Sequence, residues 1–277
     1  MEMRPLPRVH EAGAGWRGDV LLALLLAVVL SAAWTVNVWG SLRWLVLPDN
    51  DDVMRLQQVR DWLAGQAFND WTQHRLSPPL GGPMHWSRIN DLGPAALILL
   101  ARPFAGPHGA ELFAVITYPA ILFAAYLFLS ARLGRHLHGA GAGVVAAVIA
   151  ACAYPAHSLF LPGRIDHHAL QDVLLLEAAL GLTRPPASSA GVIAGSAVAL
   201  SFGIGLETAP AVLALLGTQF ILWVVRGETE RARMRGFGAG LVAVTALLLL
   251  FARPSLWSKI GRRRVGKECR SRWSPYH

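Results

Sequence analysis

Charge is scarce in this sequence of 277 residues: Asp, Glu, Lys and Arg together make up 15%, against about 25% in soluble domains. With 54% hydrophobic residues and a positive mean hydropathy, the chain lacks the polar surface that two soluble domains would need. One large membrane domain is expected instead. Cysteine is nearly absent. Cys152 and Cys269 alone exclude a disulfide framework and a cysteine-based metal site. Cys152, inside an apolar run, is expected to pack as a small hydrophobe. No repeat of fixed period is present. The Ala/Gly-rich stretches 139–151 and 190–205 read as close helix packing rather than as a site.

Acidic residues are outnumbered, but the excess is local. The net charge is +8, and residues 259–277 hold seven Lys and Arg against Glu268 alone. Elsewhere the charges nearly balance, so no nucleic acid is expected as a partner. Residues 264–277 resemble the translation of a sequencing-library adapter. Residues 259–277 are therefore expected to be a non-native tail, and the natural chain to continue past Trp257.

What the sequence has in abundance is long apolar runs. Residues 1–19 carry Arg4, Arg8 and Arg17, and residues 20–40 are almost wholly apolar. This run is longer than a signal-peptide core and has no clear small-residue cleavage site, so a retained first span is expected. Residues 41–91 are a polar loop with Trp44, Trp62, Trp71 and Trp86, aromatic residues suited to a membrane interface. Within it Val53, Leu56, Val59 and Leu63 recur at helical spacing before Gly65, predicting an amphipathic helix at about 52–64. Residues 92–104, flanked by Pro94 and Pro103, are short and are expected to dip into the bilayer or lie on it. Further spans are expected at 110–130, 139–160, 169–182 (weaker, with Asp172 and Glu177), 188–206, 208–226 and 236–252. The expected fold is thus an all-α integral membrane bundle of about seven transmembrane helices with a large first external loop. With residues 1–19 in the cytoplasm, the basic groups at 132–138, 184 and 226–235 fall inside. Arg164–His168 and Glu207 then fall outside with loop 41–91.

Two motifs carry candidate chemistry. Asp49-Asn50-Asp51-Asp52 precedes the amphipathic helix. It reads either as an N-cap with acidic residues in the first turn or as a hard-cation site for Mg²⁺ or Mn²⁺. Arg164-Ile165-Asp166-His167-His168 precedes the next helix. Asp166 is either a cap or a ligand, and an extended backbone would turn Asp166 and His168 to one side. Adjacent histidines face different ways on a helix, so at most one is expected to join Asp166. Carboxylate with neutral imidazole suits Mn²⁺ or Zn²⁺ and tolerates Mg²⁺ through water. Glu207, between two spans, is either an intramembrane functional carboxylate or part of an exposed turn.

The stretch from Asn50-Asp51-Asp52 through Arg60-Asp61-Trp62-Leu63-Ala64-Gly65 resembles the first external loop of oligosaccharyltransferase catalytic subunits, members of the GT-C class of membrane glycosyltransferases. Asp166-His167-His168 matches that family's second Asp-x-His motif, and Pro78-Pro79 and Met84-His85-Trp86 also resemble its first loop. The likeness covers roughly residues 20–180. It implies transfer of a sugar or oligosaccharide from a polyprenyl phosphate or pyrophosphate at the outer face of a bacterial-type plasma membrane. It places a divalent cation, Mg²⁺ or Mn²⁺, on Asp51, Asp166 and His168, with Asp51 and Asp166 catalytic. Arg164 and Arg88 are candidate phosphate contacts, His85 a weaker one, and Asp49, Asp52, His167 and Glu207 possible additions. The family's later catalytic carboxylate loop and its soluble acceptor-reading domain have no counterpart in these residues. The acceptor is therefore unspecified, and this fragment is expected to be incomplete. A transporter or flippase for lipid-linked sugars is the alternative; it predicts midplane ionisable groups and inverted repeats. A soluble phosphoesterase reading of Asp-His-His lacks its companion motifs.

Overall fold

The computed structural model describes residues 15–250 other than 77, 80, 85 and 155. The expected tail at 259–277 and the candidate His85 lie outside the described residues. The described chain is helical: α1 (Trp16–Leu42), α2 (Asn50–Leu63), α3 (Leu92–His138), α4 (Ala140–Cys152), α5 (His168–Thr183), α6 (Ser188–Ile204), α7 (Ala209–Arg226) and α8 (Arg231–Leu250). Two-residue strands β1 (Thr72–Gln73) and β2 (Gly82–Pro83) pair antiparallel within the first loop. Three helical stretches, Trp16–Leu42, Leu92–His138 and Ala209–Leu250, are long and apolar enough to cross a membrane, which points to a membrane protein.

Local chemistry explains the boundaries. Asp49 caps α2, its Oδ1 accepting the Asp51 N–H at 3.3 Å, and Gly65 follows its end at φ 110°. The predicted amphipathic helix is therefore present, and the capping half of the reading of this motif holds for Asp49. Residues 92–104 do not stand apart from the next span. They run into it as α3, which breaks only at Gly106 (φ 68°, ψ 178°). A left-handed, extended residue of this kind suits glycine, and Pro107 after it disfavours helical geometry at position 106. Pro94 sits in the first turn of α3, where its missing N–H has no helical partner to lose. Helix α4 ends at Cys152, short of the expected 139–160, where Ala153 turns extended (φ −74°, ψ 99°). At 13 residues it is about 20 Å long. Cys152 is exposed, so the expectation that it packs in a core is overturned: it lies on the outward side of α4, while Ala147, Ala150 and Ala151 are buried.

Helices α6 and α8 touch backbone to backbone. A Cβ on Gly195 would stand 2.1 Å from the Phe237 carbonyl oxygen, one on Gly191 2.1 Å from that of Arg233, and one on Gly236 2.1 Å from that of Ser188. The small-residue stretch 190–205 is thus helix packing, as expected. Two apolar cores result. One gathers Ala27, Ala114, Phe123, Leu127, Phe160 and Ile165 among α1, α3 and the segment before α5. The other joins Ala178, Ala194, Val198, Val212 and Phe237 among α5 to α8.

The helices divide their connections between two ends. At one end Asp19 pairs with Arg132 (3.2 Å) and Arg135 (2.5 Å), His136 meets the Thr183 carbonyl, and buried Arg233 bonds Glu230 and the carbonyls that close α5. These are the basic loops assigned to one side by charge. The other end gathers the described part of the first loop, the segment before α5 and the α6–α7 turn, joined by contacts such as the Ser87 N–H to the Ile204 carbonyl and Arg164 to Asp49.

Candidate functional site

At that second end α2 docks its buried face on the segment leading into α5. Asp52, Arg55, Leu56 and Val59 are buried, a spacing of three, four and seven residues that puts them on one helical face. Asp52 Oδ1 accepts the backbone N–H groups of Ile165 (2.8 Å) and Asp166 (2.9 Å). Asn90 and Tyr118 fix the same segment from α3's side: Asn90 Nδ2 donates to the Ile165 carbonyl at 2.7 Å, and the Tyr118 hydroxyl donates to Asn90 Oδ1 at 2.7 Å. The two motifs, more than a hundred residues apart in sequence, are therefore joined by direct hydrogen bonds.

The carboxylate at the centre is Asp166. Its Oδ1 accepts the backbone N–H of His167 (2.7 Å) and lies 2.5 Å from that ring's Nδ1, which also stands 3.1 Å from Arg55 Nη2, while its Oδ2 lies 3.3 Å from His168 Nε2. Ligand atoms of Asp166, His167 and His168 lie within 4.8 Å of one another. Both histidines thus reach Asp166, one per carboxylate oxygen. This overturns the expectation that at most one would join it: a carboxylate has two oxygens, and neighbouring rings need not point alike to reach different ones. Nor is the backbone extended here; His167 has helical φ −76° and ψ −16°. On its far side His167 Nε2 is 3.4 Å from Glu207 Oε2 in the α6–α7 turn. Glu207 is thus a partly exposed turn residue aimed at this cluster.

Arg55 lies behind them, fully buried. Its Nη1 donates to Asp91 Oδ1 (3.0 Å) and the Ser87 carbonyl (3.1 Å), and its Nη2 is 3.6 Å from Asp166 Oδ1. The guanidinium also lies over the Trp86 ring at 4.8 Å. Arg164 Nη1 spans Asp49 Oδ2 (3.1 Å) and Asp52 Oδ2 (3.4 Å). The carboxylates of Asp49, Asp52, Asp91, Asp166 and Glu207 outnumber the guanidiniums of Arg55, Arg88 and Arg164. Burial pushes the Asp52 carboxyl up to about 6, against the Arg164 charge and the two backbone N–H groups. Burial also works to raise Asp166, but the hydrogen bond and charge of His167 outweigh it and hold Asp166 well below the usual carboxylate range.

Among the other candidates, Asp51 is exposed. Among the described residues its carboxylate makes no hydrogen bond or ion pair, and the neighbour that enters the cluster is Asp52. Arg88 is corrected from a phosphate contact to a brace. It is 1% exposed, and its guanidinium nitrogens bond the carbonyls of Gln58 and Asp70 and the Gln66 side chain. It holds the first loop closed, and the cluster carboxylate it approaches is Asp91, at 3.9 Å from Nη1. Sequence reasoning missed Arg55, Asp91, Asn90 and Tyr118. Only the spacing of Arg55 from Asp52, one turn along α2, could have marked it.

The donor set fits a cation. Two ligands each about 2.1–2.2 Å from one ion lie roughly 3.0–3.5 Å apart, and the Asp166 Oδ2 to His168 Nε2 separation is 3.3 Å. Asp52 Oδ2 is buried without a hydrogen bond and has Arg164 Nη1 at 3.4 Å as its ion-pair partner, and the excess of carboxylates leaves negative charge to offset. Comparison with known proteins found no match among family models, curated proteins or solved structures.

Proposed function

We propose that the chain is the membrane domain of a metal-dependent GT-C-class glycosyltransferase, which takes a sugar or oligosaccharide from a polyprenyl phosphate or pyrophosphate at the outer membrane face. The carrying observation is the hydrogen-bonded union of Asp52 with the backbone of Ile165 and Asp166. It brings the two acidic motifs to one end of the helices, beside a carboxylate–imidazole pair spaced for an ion. In this reading Asp166 and His168 hold Mn²⁺ or Mg²⁺, with nitrogen in the donor set favouring Mn²⁺. The cation supplies Lewis-acid neutralisation of the departing phosphate. The sugar's bond to the phosphate oxygen would break with its electron pair leaving on the phosphate, while the acceptor atom forms the new bond and gives up its proton to the departing phosphate or to water. His167 positions Asp166 from Oδ1, leaving Oδ2 for the ion. Arg164, at the rim, is the phosphate contact. The first-loop carboxylate is Asp52 rather than Asp51. Seven spans, an inside amino terminus and an outward-facing site belong to the same proposal; the gathering of basic loops at the opposite end supports the orientation.

The test uses the purified full chain. Mn²⁺ binding is measured calorimetrically for wild type, Asp166→Asn and His168→Ala, and release or transfer of sugar from a synthetic polyprenyl-phosphate donor is assayed with Mn²⁺ and with chelator. Binding of one Mn²⁺, lost in both variants, together with chelator-sensitive donor turnover is the expected result. Saturable Mn²⁺ binding that survives Asp166→Asn, or turnover indifferent to chelator, would refute it. A transporter reading draws on one observation. Asp172 lies one turn beyond His168, in a groove of about 390 Å³ with Tyr126 and Thr218, and it has no hydrogen bond or ion pair among the described residues. Movement of intact lipid-linked sugar across vesicles without turnover would favour that reading.

A further inference from the structure

We infer that a second, separate site binds the phosphate of an anionic phospholipid in the cleft between the end of α2 and the Gly106 break of α3. The cleft, of about 250 Å³, is lined by Arg60, Leu63, Ala64, Ile98, Arg102, Pro107 and Glu111. Arg60 clamps Glu111 bidentately, Nε to Oε1 at 2.7 Å and Nη2 to Oε2 at 2.6 Å. That pair consumes the only carboxylate lining the cleft, and among the described residues Arg60 Nη1 has no hydrogen bond. Arg102 has no hydrogen bond or ion pair among the described residues, and it is the only charged residue between Leu92 and Ala110. The cleft therefore carries one uncompensated positive charge, matched to a phosphodiester monoanion, with guanidinium donors suited to phosphate oxygens.

The surroundings argue for a lipid as the source of that phosphate. The first part of α3 buries Ala95 and Ile98 but exposes Leu99 (55%), Leu100 (65%) and Phe104 (88%). An apolar ridge of this size beside a cationic cleft fits acyl chains below and a headgroup at the guanidiniums. Arginine snorkelling alone would place Arg102 at an interface. It would not place Arg60, Arg102 and an apolar floor of Leu63, Ile98 and Pro107 around one cavity. The inference does not depend on sugar transfer, since none of these residues belongs to the Asp166 cluster.

The experiment measures thermal unfolding of the purified full chain in mixed micelles. These contain detergent alone, phosphatidylglycerol, phosphatidylcholine, or detergent with inorganic phosphate. Wild type is expected to be stabilised in a saturable way by phosphatidylglycerol beyond phosphatidylcholine or phosphate. In Arg102→Gln the apparent dissociation constant for phosphatidylglycerol is expected to rise about tenfold or more, the scale of a lost charge-assisted contact. Because Arg102 is exposed and unpaired, this variant is expected to fold with its lipid-free Tm unchanged. Equal protection by phosphatidylcholine, equal protection by inorganic phosphate, or an unchanged lipid response in Arg102→Gln would each overturn the inference.

Discussion

Replacing Arg55 with Met tests how the site is held. Arg55 and Asp91 both have 0% side-chain exposure and meet at 3.0 Å. Removing one partner of such a pair leaves the other charge buried, which costs about 3–5 kcal/mol. Arg88 Nη1, 3.9 Å from Asp91 Oδ2, offsets part of this, while the Ser87 carbonyl loses its donor at about 1 kcal/mol. A loss of about 3 kcal/mol is therefore expected for Arg55→Met. In Arg55→Met/Asp91→Asn the stranded charge is gone, so the double variant should be more stable than the sum of the singles predicts, by about 1.5 kcal/mol or more. Equilibrium unfolding of the purified chain in mixed micelles, followed by tryptophan fluorescence, measures all four corners of the cycle. A loss below about 1 kcal/mol for Arg55→Met, or strict additivity in the double variant, would refute the view that Arg55 and Asp91 form one buried unit.

Other outcomes follow from the same geometry. Asp52→Asn should weaken Mn²⁺ binding and donor turnover at least about tenfold, with Asp51→Asn near wild type; the reverse order in calorimetry would return the role to Asp51. Asp52 is raised from 3.8 to about 6 in the folded state, so its contribution to stability is present below the lower value and lost as pH rises through the upper one. The stability difference between wild type and Asp52→Asn should therefore shift against wild type between those pH values, and a flat difference in unfolding titrations would sink the assignment. Arg88→Gln should lower unfolding stability and open the first loop to proteolysis while leaving donor KM unchanged in the folded fraction; a selective rise in KM would restore the phosphate role. Gly195→Ala, aimed at the Phe237 carbonyl, should destabilise by about 1–3 kcal/mol. Gly217→Ala, with open space around it, should be neutral or gain up to about 1 kcal/mol; equal effects would contradict the backbone contact of α6 with α8.

The helical architecture was legible because apolar runs of span length and their basic flanks are strong local signals. The gathering of Asp19, Arg132, Arg135, His136 and Arg233 away from Asp52 and Asp166 agrees with the alternation read from charge. The α2 prediction found the helix and, with Leu56 and Val59, part of its buried face, but it missed the charged part. Apolar spacing chose Val53, which is 50% exposed, whereas the docked face carries Asp52 and Arg55. Charged residues on a helix ordinarily signal solvent, and only tertiary pairing with Asp91 and the 165–166 backbone reverses that. The same phase explains why Asp52 enters and Asp51 does not: one residue turns the side chain by about 100°. Arg88 was misjudged for a related reason, since its acceptors are backbone carbonyls, which a sequence does not display. The reach of both histidines to Asp166 depended on ring orientation, which spacing alone does not fix.

Asp52 is a side chain of the first loop, yet its acceptor atom terminates the backbone of residues more than a hundred positions later. The segment before α5 therefore takes part of its shape from the first loop. Pull α2 away and two amide hydrogens beneath Asp166 lose their only anchor at that point. Affinity for the proposed cation should then report, at a distance, on whether the first loop has folded.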